Sequence, residues 1–176
     1  MPDTRQFLLL HLICVSISPV IPHQLSSESD TGVPTTVTFP SGYVHFPTIN
    51  AGLKVHRERS NWYNANTACV SEGGRLAVVD TVEKIRFVTE NKAQYSEVWV
   101  GITRDDSRWV TADDRSERHG LPWEANSPDN FGDCAVVNVR GDGLSNKLCA
   151  WRKPFVCEIP ATTASVQQTP IMFGSN

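Results

Sequence analysis

Trp123–Cys157, WEANSPDNFGDCAVVNVRGDGLSNKLCAWRKPFVC, is the stretch whose reading decides the fold. It carries three of the chain's five cysteines and a polar, Pro-centred tripeptide, Ser127-Pro128-Asp129. Val-rich and aromatic runs lie between Asp-Gly and Lys-Pro turn signals, which predicts strands over 135–139 and 148–159. Cys134 heads the first run and Cys149 lies in the second. With a turn at Gly141-Asp142-Gly143, the two cysteines face each other across antiparallel strands. A polar loop then sits pinned beside a small sheet, the arrangement in which loops carry function and a scaffold positions them.

Outward from this stretch, the same alternation of signals continues. Tyr43–Glu58 has period-two apolar residues, including Leu53 and Val55, and reads as a first strand. Ser60 is placed to cap a helix whose apolar face is Trp62, Ala65 and Cys69, stopped by Gly73-Gly74. Leu76–Val79 is a short buried run. Asp80, with Glu83 three residues on, reads as the capping box of a second helix with Val82, Ile85 and Val88 buried. Val98-Trp99-Val100-Gly101-Ile102 reads as a core strand, and Trp109-Val110 as a short strand inside a long loop region, 103–133.

These residues together resemble the C-type lectin-like domain family. That family has a Glu-Pro-Asn or Gln-Pro-Asp tripeptide, then Cys, a strand, Trp-Asn-Asp shortly before a further Cys, and a last Cys. The matching positions are Ser127-Pro128-Asp129, Cys134, Leu144-Ser145-Asn146, Cys149 and Cys157. Val98–Ile102 is similar to the family's Trp-Ile-Gly-Leu strand. Gly52-Leu53-Lys54-Val55-His56 and Glu72-Gly73-Gly74-Arg75-Leu76-Ala77 resemble secreted single-domain invertebrate lectins and lipopolysaccharide-binding proteins. The resemblance covers 43–159. It implies an α+β fold with two helices, two small antiparallel sheets and a long loop region, closed by disulfides. It also implies recognition of glycans or microbial surface molecules in innate immunity.

The first segment sets the compartment. Phe7–Val20 is largely apolar after an Arg-containing start, and is shorter than the ~20 residues of a bilayer span. The expected organisation is a signal peptide over 1–23, a flexible Ser/Thr/Pro-rich linker over 24–42, the lectin-like domain over 43–160 and a flexible tail over 161–176. A type II anchor is the competing reading of the first segment, and a secreted product without a stable anchor the expectation. Loss of Cys14 with the signal leaves four cysteines, which in an exported chain implies two disulfides with three connectivities open. The resemblance selects Cys69–Cys157 and Cys134–Cys149. A zinc site is disfavoured by the lack of paired C-x-x-C spacing.

A calcium-dependent sugar site shares the ion's oxygen ligands with vicinal sugar hydroxyls. Carried over by position, the resemblance offers Ser127, Asp129, Gly132, Ser145 and Asn146, with Asn130 alongside. Asp129 is the sole carboxylate among the matched positions, and Gly132 has no side chain to offer. Asp129 and Asn146 are therefore the expected ligands of a weak Ca²⁺ site, since affinity follows ligand charge and count. The alternative is a calcium-independent lectin-like module that binds a protein. Weak single sites would gain from oligomers.

Other motifs give less. Arg140-Gly141-Asp142 spells an adhesion tripeptide, but Asp142-Gly143 is also an ordinary turn pair. His45, His56 and His119 show no metal-ligand spacing, and no Ser stands in a nucleophile elbow, so an enzyme is not expected. With a formal charge of −3, unchanged when Asp3 and Arg5 leave together, the chain has no electrostatic claim on nucleic acid.

Overall fold

The structure is a computed structural model that describes residues 35–94, 96–161 and 165–168. The expected signal peptide, Cys14 and most of the linker lie outside the described residues. At the centre are two long strands, β3 (Ala51–Ser60) and β9 (Lys153–Pro160), paired antiparallel from Ala51↔Pro160 to His56↔Phe155, with a bulge before Ser60↔Lys153. On the outer side of β3 lies β2 (Val44–Phe46), so the single strand expected over 43–58 is two, broken by a 3₁₀ turn at Pro47–Ile49. Pro47 forces that break, because it carries no N–H for a ladder.

On its other side β9 meets β5 (Val98–Asp105), and β5 pairs with β6 (Arg108–Thr111) and β7 (Cys134–Val137). The far edge is β8 (Leu144–Lys147), antiparallel to β7. Two small antiparallel sheets were expected. One parallel pairing, Trp99↔Phe155, joins them into a single mixed sheet ordered β2-β3-β9-β5-β7-β8. β4 (Arg75–Leu76) pairs with β9 as well. The α+β class stands.

Alternation along the strands divides the core in two. Val98, Val100 and Ile102 on β5 and Ala135 and Val137 on β7 enter one cluster. Trp99, Cys134 and Val136 enter another with Trp62, Cys69 and Phe155. Gly101 is required where β4 crosses β5: a Cβ there would overlap the Leu76 carbonyl.

The helices form where expected, with each cap moved by one residue. In α1 (Trp62–Ser71) the cap is Asn61, whose side chain accepts from Asn64 N at 2.8 Å, rather than Ser60. Trp62, Ala65 and Cys69 are buried, and Gly73, at φ +84°, ends the helix. In α2 (Val82–Asn91) the cap is Thr81, accepting from Lys84 N at 3.3 Å, rather than Asp80. Val82 thereby becomes the first helical residue and faces solvent, against the expected stripe, while Ile85, Phe87 and Val88 are buried.

Lys84 is buried too. Its ammonium donates to Val78 O at 2.8 Å and Glu158 Oε2 at 3.0 Å, and Glu158, 3% exposed, also receives Arg75 Nη2 at 2.9 Å. The disulfides are Cys69–Cys157 and Cys134–Cys149, with Cα–Cα separations of 5.3 and 5.2 Å. The first ties α1 to β9; the second ties the head of β7 to the turn after β8. The strand expected over 148–159 starts only at Lys153, and Leu148–Arg152 is a turn. β8 lies at the sheet's edge and β9 near its centre, so no continuous strand can join them. In the segments expected to be linker and tail, β1 (Thr35–Thr38) and β10 (Ser165–Gln168) pair antiparallel. Among the described residues no helix is long and apolar enough to cross a membrane.

Candidate functional site

The tripeptide loop leaves the long connection between β6 and β7 after Trp109 and Trp123 pack with ring centroids 4.7 Å apart. Asn126 takes φ +66°, and the Ser127–Pro128 peptide is cis. The chain then folds around one side chain projecting from β8, Asn146, which is 1% exposed. Its Nδ2 donates to Gly132 O at 2.6 Å, and to Asp129 O and Oδ1 at 3.0 Å each. Its Oδ1 accepts from Asp129 N at 2.9 Å. Three acceptors at one end and an N–H at the other fix the orientation of the amide.

Asp129 closes the loop from within. Its Oδ1 also accepts from Phe131 N at 2.8 Å. That backbone N–H first, then the Asn146 amide and the fields of Lys147 and Arg104, outweigh desolvation and hold the carboxyl below the usual range. Arg104, from β5, adds a cation. Its Nε and Nη2 lie 2.7 and 2.6 Å from Asp133 Oδ1, and its Nη1 lies 3.4 Å from Asp129 O.

The expected residues separate accordingly. Asp129 and Asn146 come together, each as the other's partner. Ser127 is half-buried and Asn130 exposed on the loop. Ser145 does not join them: neighbours on a strand project to opposite faces, and its hydroxyl is buried with no hydrogen-bond partner among the described residues. Gly132 presses on β8, where any side chain would overlap the Lys147 backbone. A calcium ion needs several free, preferably anionic, oxygens. Here Asp129 Oδ1 already takes two N–H groups, Asn146 Oδ1 is turned to a backbone N–H, no acid fits at Gly132, and a guanidinium supplies the local positive charge. These residues do not fit the ion.

The family model described as "Lectin C-type domain" matches residues 58–159, more than half of the chain. The chain belongs to the C-type lectin domain family. "CD209 antigen-like protein D" of Mus musculus is 24% identical over 112 residues, covering 61% of this chain and 47% of that protein. "Galactose-specific lectin nattectin" of Thalassophryne nattereri is 25% identical over 131 residues, covering 69% and 80%. This C-type lectin chain thus spans about half the length of the first of these relatives. Among solved structures, a calcium-independent type II antifreeze protein superposes with a TM-score of 0.63 at 17% identity, over 74% of this chain and 98% of that one, a likeness of fold.

The adhesion-like tripeptide of this C-type lectin domain is bonded within its own exposed turn. Arg140 Nε donates to Asp142 Oδ2 at 2.8 Å, Arg140 Nη2 to Glu124 Oε2 at 3.0 Å, and Thr89 Oγ1 to Gly141 O at 3.0 Å. Its two charged ends pair with each other. Sequence reasoning missed Arg104, and missed that Asn146 pins the loop. A lone Arg on a strand and a lone Asn near a Cys carry no local signal for either role.

Proposed function

We propose that this C-type lectin domain is a secreted carbohydrate-binding module that works without calcium and recognises glycans on microbial or other cell surfaces in innate defence. The observation that carries the reading is the Asn146 network, which holds the Ser127–Gly132 loop in one geometry using protein groups alone. In the general calcium-dependent design the ion does that work; here an amide and the Arg104 guanidinium take its place. Two disulfides among the described cysteines support an oxidising, extracellular setting. Membership of a family of binding domains supports a binder rather than an enzyme. Among the described residues His56 is the one buried histidine, with Nδ1 2.8 Å from Glu58 and Nε2 3.3 Å from Glu72, and its neighbour Cys157 is held in a disulfide.

A glycan array probed with calcium and with chelator tests the reading. The same glycans should be retained in both; retention that needs calcium overturns it. A second reading, a protein ligand at the same loop, is favoured by the inward use of Asp129 Oδ1 and Asn146, which leaves few free polar atoms for sugar hydroxyls. Binding to a proteinaceous partner with a blank array would select it.

A further inference from the structure

Beside the tripeptide loop, on the outer side of the Cys134–Cys149 bridge, lies a surface that the loop does not explain. Trp151 is 42% exposed and Phe131 52% exposed, and their rings meet edge to face at 5.6 Å. The Trp151 indole is held in place. The Lys153 ammonium lies 4.9 Å from the Trp151 ring and 5.5 Å from that of buried Trp99, and Glu97 Oε2 accepts from it at 2.5 Å. Trp151 N also donates to Leu148 O at 3.0 Å, closing the turn that presents the ring. A preorganised indole flanked by a second ring offers apolar ring surface at low entropic cost.

Charge narrows what the face takes. Arg59 and Arg152 form no ion pair among the described residues; Ser60 pairs with Lys153, which sets the two arginines on adjoining backbone, and Arg152 Nη2 donates to Arg59 O at 2.9 Å. Lys147 and Lys153 share a single carboxylate, Glu97, at 3.6 and 2.5 Å. Arg59, Glu97 and Lys153 line one shallow cleft of about 140 Å³. These four cations face Glu97 and, on the Phe131 side, Asp129, whose carboxyl lies in the field of Lys147, which leaves a local excess of positive charge on a chain whose net charge is −3. Arginines without carboxylates suit tetrahedral oxyanions, which the planar guanidinium receives with two hydrogen bonds.

We propose that Trp151 and Phe131, with Arg59 and Arg152 beside them, form a binding site for anionic carbohydrate: a sugar ring stacks on the indole while its sulfate or phosphate group meets the arginines. The site rests on the carbohydrate-binding reading and names the class of glycan it serves.

The test is binding of the full chain, in chelator, to immobilised heparin, phosphomannan, unsulfated dextran and single-stranded DNA across a salt series. Heparin or phosphomannan should be retained well above dextran, the stronger of the two identifying sulfate or phosphate, with affinity falling as salt rises. Trp151→Ala should weaken that binding about tenfold at an unchanged melting temperature. The double variant Arg59→Gln/Arg152→Gln should weaken it at least as much and flatten the salt dependence, while Arg152→Lys should keep the salt dependence and lose part of the affinity, since the charge stays and the paired hydrogen bonds go. DNA bound as tightly as heparin, or an unaffected Trp151→Ala, would show a simple polyanion surface and overturn the site. Retention of neutral glycans alone overturns the site and leaves the broader reading standing; retention of no carbohydrate overturns both.

Discussion

Two regions of this lectin domain bury polar groups by opposite means. Under α2, full charges are buried: Glu158 takes Lys84 and Arg75, with side-chain exposures of 4%, 9% and 27%. At the tripeptide loop the buried group is neutral, the Asn146 amide, and the charges of Asp129, Asp133 and Arg104 stay near water. The difference shows what each region is for. A buried ion pair costs several kcal/mol if one partner goes, so it commits the helix to the sheet. A neutral amide with four bonds shapes a loop without committing a charge to the interior.

The largest effect that would test this contrast is Lys84→Met. It strands Glu158 with Arg75 alone, and chemical denaturation should show a loss of about 3 kcal/mol or more. A loss under about 1 kcal/mol would mean that the ion pair commits nothing. Next comes Asn146→Ala, which releases the loop at a cost of about 2 kcal/mol. Near-UV circular dichroism of the core should persist, and hydrogen exchange at Asp129 and Phe131 N–H groups should rise. Asn146→Asp sharpens the comparison: a carboxylate would face Asp129 Oδ1 and two carbonyls, so melting temperature should fall, then recover with added calcium in this variant and not in the parent chain.

A smaller effect is expected in acid. Burial raises Glu72, but hydrogen bonds from Tyr43 and Lys54 and the fields of His56 and Lys54 outweigh it and hold its carboxyl low. Asp113 is likewise raised by burial and lowered further by Arg75. A depressed carboxyl contributes stability that is present above its unfolded pKa, near about 4, and is lost as pH falls through the folded value. The melting temperature should therefore drop below about pH 4, less steeply in Glu72→Gln. Tyr43 acts at the other end: burial and its bond to Glu72 raise its hydroxyl, so its contribution is whole below about pH 10 and is lost above it. The smallest effect is calcium on the parent chain. A site with Kd near the working concentration adds only about 0.4 kcal/mol, so millimolar calcium should leave the melting temperature almost unmoved; a rise of several degrees would restore the ion to this loop.

Much of the fold was legible because its signals are local. Trp62, Ala65 and Cys69 recur at helical spacing, Gly73 can take the left-handed turn that stops α1, and Val98–Ile102 is too apolar to lie anywhere but inside. The capping residues slipped by one because Ser60, Asn61, Asp80 and Thr81 are all competent caps, and only the direction from which each helix enters the sheet chooses between neighbours. Leu148–Arg152 read as strand because Leu and Trp favour strands, a preference overridden by the need to turn from the sheet's edge to its centre.

By itself, then, the sequence determined the family, the elements and the shortage of acid at the ligand positions, because these depend on residue type and spacing. Tertiary structure alone decided that Ser145 faces away from Asn146, that Gly132 admits no side chain beside Lys147, that Arg104 reaches Asp133 from β5, and that Trp151 stands braced by Lys153 in the open. Gly132 with Lys147 and Arg104 with Asp133 are pairs distant in the chain that only the packed sheet brings into contact, and the sides to which Ser145 and Trp151 turn are set by the strand and turn that carry them.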